Sequence, residues 1–171
     1  MARSHLQDVR SIPDPLLSYN FDLIIYPKSL SGNSDAGRAL TVRCKSTSLP
    51  GSQIEPVVTA LHGTEVKHAG RRMWTKTLEC TLIECRDMAT SNSLNDWMNL
   101  IRNPILNTGT YKSIYSSNAE ILLYDDIPTV IKTYTLYGAW PETIGEGSLD
   151  GSQSTGVEIP LTLSYDYYDT K

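Results

Sequence analysis

The sequence predicts a mainly β domain, a β-sandwich or small barrel with one short helix packed against it. Several runs alternate apolar and polar residues, which is typical of strands with one buried face. One segment has the i, i+3, i+4, i+7 apolar spacing of an amphipathic helix. Turn residues separate these runs. About six or seven strands and one helix around a common core fit the pattern.

Three runs in the first half of the chain are predicted strands with one apolar face. Their inward residues are Phe21, Leu23 and Ile25 in the first run, Leu40, Val42 and Cys44 in the second, and Leu78, Cys80 and Leu82 in the third. The outward residues are Thr41, Arg43 and Lys45 in the second run, and Thr77, Glu79 and Thr81 in the third. Ahead of these strands, the polar residues 1–17 are expected to form an N-terminal arm.

Residues 51–64 combine apolar side chains with a proline that argues against a buried central strand. Pro56 has no amide hydrogen to donate, so it disfavours both a sheet interior and a helix interior. The segment is too apolar for a solvated linker, and we therefore predict a projecting loop or hairpin. Its apolar residues are Ile54, Val57, Val58 and Leu61.

The predicted helix spans about residues 93–102. Ser93 and Asp96 resemble a capping box at its start, and Pro104 marks its end. The apolar stripe should lie on the sheet, which places Trp97 in the core rather than in a ligand site. The stripe consists of Leu94, Trp97, Met98 and Ile101.

Three further strands are predicted in the second half of the chain. Residues 119–126 and 129–140 flank the turn residues 125–128 and should form a hairpin. Residues 156–169 read as one long alternating strand, and a strand at the chain end is expected to be an edge that can pair with another chain. Its inward residues are Val157, Ile159, Leu161, Leu163, Tyr165 and Tyr167, and its outward residues are Glu158, Thr162, Ser164 and Asp166.

Composition is consistent with one globular domain over residues 1–171. The hydrophobic fraction is 40%, and the net charge of -4 argues against a dedicated nucleic-acid-binding face. There is neither a signal-peptide core nor a run of ~18 apolar residues, so we expect a cytoplasmic chain without membrane anchoring. Cys44, Cys80 and Cys85 lack ligand spacing, and no metal, cofactor or disulfide is expected.

Catalytic motifs are absent from the sequence, and we expect no enzyme. Asp125 and Asp126, or Glu146, leave a small hydrolase as one alternative, although acidic residues at a turn are ordinary turn chemistry. A second alternative is a monomeric carbohydrate-binding β-sandwich that uses Trp74 or Trp140 as its platform.

Charge is unevenly distributed along the chain. Between Arg38 and Lys76 there are seven basic and two acidic residues, and between Trp140 and Thr170 there are six acidic and no basic residues. In a monomer two such surfaces would face each other, whereas in an oligomer they suit a head-to-tail contact between copies. The candidate intersubunit charges are Arg43, Lys45, Arg71, Arg72, Glu146 and Asp150.

Four segments, in this order, resemble the tail-tube proteins of contractile-tailed bacteriophages. They read CKSTSLPG at 44–51, EVKHAGRRMWTKTLECTLIE at 65–84, LNDWMNLIRN at 94–103, and YGAWPETIGEGSLDGSQSTGVEIPLTLSYDYYD at 137–169. The last block is the most specific, because it combines Trp-Pro, Ile-Gly, an acid-rich loop, an apolar alternation and a final Asp-Tyr-Tyr. The likeness extends over nearly all of the chain from Asp14 to Asp169.

The resemblance implies a barrel-like β-sandwich with a flanking helix that forms hexameric rings. The strands of neighbouring subunits would join into one inner barrel, and the rings would stack into a hollow tube inside a contractile sheath. Residues 51–64 would then reach an adjacent ring and bury their apolar side chains there. Tubes of type VI secretion systems, R-type bacteriocins and related contractile injection systems are the alternative within the same architecture.

The resemblance also implies a lumen through which genome DNA passes without specific binding. Cationic contacts would retain the phosphates, so neutral or acidic strand faces should line the lumen. The candidates are Thr77, Glu79, Thr81, Glu158, Thr162, Ser164 and Asp166. The implied partners are other copies of the chain and the sheath, tape-measure, baseplate and terminator proteins, in a virion assembled in the host cytoplasm.

Overall fold

A computed structural model describes residues 10–11, 15–28, 40–127, 129–152 and 154–171. Most of the expected N-terminal arm, and most of the turn-rich segment that follows the first strand, lie outside the described residues. Pro128 in the expected hairpin turn lies outside them as well.

The described part of the chain contains nine strands and two helices. The strands are β1 (Phe21–Ile25), β2 (Cys44–Thr47), β3 (Ser52–Leu61), β4 (Thr64–Trp74), β5 (Thr77–Ile83), β6 (Ser117–Tyr124), β7 (Val130–Ile144), β8 (Glu158–Ser164) and β9 (Tyr167–Thr170). The helices are α1 (Ala89–Ile101) and α2 (Lys112–Tyr115). The mainly β fold with one substantial helix is therefore confirmed, and α2 is a single additional turn.

Seven of these strands form one antiparallel sheet in the order β1-β6-β7-β8-β5-β2, with β9 added to β7. The long strand β7 belongs to both halves of this sheet. Its residues 130–139 pair with β6, and residues 140–144 pair with β8. The pairing changes beside Gly138, whose φ is 68°. The predicted hairpin of β6 and β7 is present.

The buried residues of both halves form one core, so the sheet closes on itself as a sandwich or open barrel. The inward phases predicted for β1, β5 and β8 are confirmed by complete or nearly complete burial, except that Phe21 at the start of β1 is only half-buried. Trp97 is fully buried with Leu94 on the inner face of α1. The strand residues of the core are Leu23, Ile25, Leu78, Cys80, Leu82, Ala119, Ile121, Leu136, Ala139, Ile159, Leu161 and Leu163.

The predicted terminal strand is in fact two strands. The amide of Tyr165 donates to the carbonyl of Lys76, and the amide of Asp166 donates to the carbonyl of Tyr137. The chain therefore changes partners between β8 and β9, and the alternation loses its phase. Tyr165 is buried as expected, but Tyr167 is 47% exposed and not inward. Within the described residues β9 is an edge strand paired with β7.

The second predicted strand is shorter than expected. Residues 40–42 are helical, and the amide of Arg43 donates to the carbonyl of Leu40, so β2 begins only at Cys44. A helical turn does not alternate its side chains. Leu40 is consequently buried while Val42 is 80% exposed, which makes the inward assignment of Val42 wrong.

The helix α1 begins at Ala89, four residues before the predicted capping box. Its first amide, that of Ala89, donates to the Asp87 carboxylate at 3.2 Å. The next two are bound by Glu84, which follows β5: the amides of Thr90 and Ser91 donate to its two carboxylate oxygens at 3.3 and 2.8 Å. The Ser91 hydroxyl also donates to this carboxylate. A carboxylate at this position satisfies amides that have no partner inside the helix. Ser93 consequently lies inside the helix.

Arg43 completes this arrangement, which we call the Glu84 clamp (Arg43, Glu84, Asp87 and Ser91). The Arg43 guanidinium donates to the two oxygens of Asp87 at 3.0 and 2.6 Å and lies 3.7 Å from Glu84. Burial alone would raise the pKa of Glu84, but its hydrogen bonds from Ser91, Cys85 and Thr90 lower the pKa below its ordinary value. The ionised carboxylate is therefore the form that holds the start of the helix.

We expect Glu84→Gln to lower the free energy of unfolding by about 1.5–3 kcal/mol at pH 7, the usual contribution of hydrogen bonds to a charged group. A group whose pKa is depressed by folding stabilises above its unfolded pKa, and this contribution is lost as pH falls through the folded value. The difference between wild type and variant should therefore shrink below about pH 4.3, the ordinary glutamate pKa. Urea unfolding of both proteins at intervals of about one pH unit between pH 3 and pH 7 measures this difference. A difference independent of pH would contradict the clamp.

Candidate functional site

The strands β3 and β4 form a hairpin that is separate from the main sheet. They pair from Ser52 and Trp74 to Leu61 and Thr64, and a two-residue turn of His62 and Gly63 joins them. Both turn residues have positive φ, 50° and 77°, as a type I′ turn requires. Residues 52–72 are all exposed. The hairpin extends past the predicted limit of residue 64, because the alternating residues of β4 form its second strand.

Apolar side chains lie on both faces of this hairpin. Val57 and Leu61 share one face with Val66, whereas Ile54 and Val58 lie on the other. Sequence reasoning missed Val66, although its alternation with Glu65 and Lys67 was a usable signal. These five side chains are between 47% and 66% exposed. A two-stranded hairpin with no core of its own is marginal in water, so this much apolar surface indicates a partner.

Polar contacts hold the base of the hairpin. Arg71 donates to Glu55 at 2.7 Å, and Arg72 donates to the Ser52 hydroxyl at 3.0 Å. The Arg72 guanidinium also lies over the Trp74 ring, 5.5 Å from its centre. Both predicted intersubunit arginines therefore brace the hairpin while remaining at the surface.

The outer face of β5 and β8 brings six of the seven predicted lumen residues together. Thr77 pairs with Ser164, Glu79 with Thr162, and Ile83 with Glu158. Directly opposed residues share one face of a sheet, and their neighbours in the strands are in the core. The six residues on this face are Thr77, Glu79, Thr81, Glu158, Thr162 and Ser164.

Asp166 does not belong to this face. It lies in the bend between β8 and β9, where its carboxylate accepts a bond from the Lys112 ammonium of α2. The strand alternation that assigned it to the outer face ends with β8, and its placement with that face is therefore corrected.

The polar face is neutral to acidic. Lys45 on β2 forms an ion pair with Glu158, and Glu79 makes no ion pair among the described residues. Arg43, which the strand alternation placed beside Lys45, lies instead in the Glu84 clamp with a side chain that is 16% exposed. Its charge is thus paired within the chain, while a role as an intersubunit charge stays a prediction.

The acid-rich loop after β7 lies beside α1, because residues of both line one groove. Glu146 is exposed in the loop after β7, and Asp150 accepts bonds from the amide and hydroxyl of Ser152 at 2.9 and 2.7 Å. The second bond is typical of a local turn.

The other candidate residues are not arranged for catalysis or for ligand binding. The Asp125 carboxylate accepts the amide of Asp126, and Asp126 accepts a bond from Asn20, at an exposed turn. Trp74 lies under Arg72, and Trp140 packs edge-on against Tyr115, 6.1 Å between ring centres, so neither is an open platform. The described residues contain no group of three His, Cys, Asp or Glu placed for a metal ion. Nor is any described helix both long and apolar enough to span a membrane.

Sequence comparison relates the chain to known tube proteins. The family model described as "Phage tail tube protein" matches residues 18–171. The tail tube protein gp19 of Enterobacteria phage T6 is 28% identical over 141 residues, which cover 78% of this chain and 83% of the relative. The tail tube protein of Serratia phage KSP90 is 27% identical over 125 residues, or 72% of this chain and 70% of the relative.

Solved structures share the fold. The sheath/tube terminator of the PVC extracellular contractile injection system matches with a TM-score of 0.69 and 18% identity, covering 94% of this chain and 99% of the other. The sheath–tube complex of the same system matches with a TM-score of 0.67 and 16% identity, covering 99% of both chains. At these identities the likeness is one of fold.

Proposed function

The chain belongs to the phage tail tube protein family, and from this membership we propose that its hexameric rings stack into the inner tube of a contractile phage tail. The protein is structural and is not an enzyme. In this proposal the tube is a rigid conduit, which sheath contraction drives through the host envelope, and genome DNA passes through its lumen.

The unpartnered hairpin of β3 and β4 is the observation that carries the proposal. Its apolar residues Ile54, Val57, Val58 and Leu61 are exposed in the isolated chain. Full burial of such a side chain stabilises by about 1.5–3 kcal/mol, so completing the burial of a half-exposed one contributes about 1 kcal/mol. We assign this burial to an adjacent ring, where every subunit would repeat it.

Ring closure accounts for the edges of the main sheet. Among the described strands, β1, β2 and β9 each pair on one side, which leaves backbone groups that another chain can bind. Pairing between neighbouring subunits would join six sheets into one barrel without free edges. Of the predicted intersubunit bases, Lys45 and Arg71 are paired with Glu158 and Glu55, whereas Arg72 has no carboxylate partner among the described residues. Arg72 would then meet the acid-rich segment that contains Glu146 and Asp150 across contacts between copies.

We place the polar face of β5 and β8 in the lumen. Internal pairing of Lys45 with Glu158 supports this placement, because it leaves the Glu79 carboxylate as the excess charge of the face. Each cation that contacts DNA adds affinity through counterion release and would slow passage. A face of threonine, serine and carboxylate side chains offers no cation to the phosphates, so DNA would pass without being retained.

The partners follow from assembly in a contractile tail. We propose contacts with the sheath, baseplate, tape-measure and terminator proteins, and assembly in the host cytoplasm before incorporation into the virion. A tube of a related injection system shares the architecture. The curated relatives at 27% and 28% identity are phage tail tube proteins, which favours the phage tail.

Electron microscopy of the purified protein at rising concentration, with its molar mass in solution, tests the proposal. Rings and hollow tubes are expected from the wild type. Val57→Asp or Leu61→Asp should leave rings but abolish tubes, because burying an unpaired carboxylate costs several kcal/mol.

The matched control is Val42→Asp, which places the same charge on an exposed valine outside the hairpin. It should form tubes as the wild type does. A wild-type protein that stays monomeric and also fails to polymerise on isolated tail baseplates would contradict the proposal. Tubes formed equally well by Leu61→Asp would refute the role of the hairpin.

A further inference from the structure

A second unpartnered apolar surface lies between α1 and the acid-rich loop after β7. It is a groove of about 610 Å³, here called the α1 groove. Met88 and Met98 line one side of the groove, and the loop after β7 lines the other. Its apolar lining residues are Met88, Met98, Ile144, Leu149, Val157 and Ile159. Leu149 is 85% exposed, so part of this lining stands open to solvent.

The rim of the α1 groove is acidic. Glu146 belongs to its lining, and this carboxylate has neither an ion pair nor a hydrogen bond among the described residues. Glu84 also belongs to the lining, but its carboxylate is bound within the Glu84 clamp, so Glu146 supplies the unpaired negative charge of the groove. The groove therefore suits an apolar segment that carries positive charge.

One face of the hairpin has that chemistry. Val58 pairs with Lys67, and Ile54 pairs with Arg72, so aliphatic and cationic side chains are neighbours across the ladder. Glu65, opposite Ala60, lies on the same face, and the two bases therefore leave this face with a net positive charge. Lys67 forms no ion pair within the described part of the chain, and Arg72 contacts a hydroxyl and a ring rather than a carboxylate. The opposite face carries Val57 and Leu61 with the neutralised Arg71–Glu55 pair. The two faces are thus chemically different.

We propose that the α1 groove of one copy receives the Ile54, Val58 and Lys67 face of the hairpin of a second copy, with Lys67 near Glu146. The occupant is a second copy because the hairpin of the same chain is exposed throughout and does not enter the groove. This inference rests on the proposed self-assembly and deepens it by naming the receiving surface.

Disulfide trapping between two different variants tests this contact. Cys85 is exposed and is first replaced by serine. Burial raises the pKa of Cys44 to about 11 and that of Cys80 to about 12, so these thiols stay protonated and unreactive at neutral pH. Val58→Cys and Leu149→Cys are then prepared separately in this background, mixed under assembly conditions and oxidised mildly with diamide.

A cross-linked dimer of Val58→Cys with Leu149→Cys is expected on a non-reducing gel. Val57→Cys is the matched control, since its side chain is 53% exposed against 47% for Val58 but faces the other way. It should give about tenfold less product, because a disulfide requires Cβ atoms within roughly 4.5 Å. Absence of the Val58–Leu149 product, or equal product from Val57→Cys, would overturn the inference. Tubes seen by microscopy in the same sample show separately whether the proposed function stands.

Charge exchange provides a second readout. Lys67→Glu and Glu146→Lys, taken singly, should each raise the concentration needed for assembly about tenfold, because like charges then meet at the groove. The double variant restores the attraction and should return the assembly concentration towards that of the wild type. A double variant no better than the worse single variant would count against the pairing of these residues, and against the proposed orientation.

Discussion

Replacing Trp97 with alanine should lower the free energy of unfolding by about 3–5 kcal/mol, the range for removing a large aromatic side chain from a core. The side chain of Trp97 lies on the inner face of α1 and is fully buried against the sheet. Its indole Nε1 donates to the Tyr115 carbonyl at 2.8 Å. The variant loses both the buried ring and the bond that ties α1 to α2. Since domains are stable by only about 5–15 kcal/mol, much of the protein should be unfolded on mild warming.

Urea unfolding followed by circular dichroism measures this loss. Trp97→Phe is the informative companion, because it keeps an aromatic ring and leaves the Tyr115 carbonyl without its donor, at a cost of about 1–3 kcal/mol. Asn99→Ala, on the exposed side of α1, serves as the control and should change little. A loss below ~1 kcal/mol for Trp97→Ala would show that α1 contributes little to the core.

Replacing Gly70 with alanine should strongly impair tube formation while leaving the fold intact. Gly70 lies at a bulge in β4, opposite Glu55. A methyl group there would collide with the Glu55 backbone carbonyl and approach Val57 Cγ2 to 3.1 Å. Backbone cannot move aside as a flexible side chain does, so the two strands must separate or twist. Overpacking of this kind costs about 1–3 kcal/mol and would displace the apolar residues beyond the bulge.

The core should hardly respond to this change, because the hairpin forms its own two-stranded sheet. We expect the Tm to fall by less than about 3 °C, since 1 kcal/mol corresponds to about 2–4 °C in a domain of this size. The concentration needed for tubes should rise at least tenfold, the equivalent of about 1.4 kcal/mol. Gly151→Ala is the control, because its added methyl would meet no atom within 4 Å. Normal tubes from Gly70→Ala would mean that the hairpin geometry is not used in assembly.

Local pattern alone predicted the mainly β fold and much of its core. The alternation in residues 77–83 and 158–164 assigned Leu78, Leu82, Ile159 and Leu161 to the interior, and all four are buried. The proline in β3 correctly indicated that this strand is not central, and its hairpin has its own sheet. These successes share one cause, since a strand buried on one face repeats its hydrophobicity every second residue wherever it lies.

Errors arose where a residue outside the local pattern takes part. The start of α1 was misplaced because its first amides are bound by two carboxylates that precede the helix, Asp87 and Glu84, and not by the predicted capping box. Arg43 was taken for a surface charge because its partner Asp87 lies 44 residues away along the chain. Asp166 was placed on the polar face because alternation cannot reveal that the chain changes partner from Lys76 to Tyr137.

The sequence by itself determined that the domain is mainly β, which faces of β5 and β8 are apolar, and that one apolar segment stands outside the core. These properties depend on the order of neighbouring side chains. The tertiary structure alone decided that the terminal run is divided into β8 and β9, that Lys45 is neutralised by Glu158, and that the hairpin separates a neutralised face from a cationic one. Such features depend on register between strands, and a shift of one residue would reverse every face, so they exist only once the strands have paired.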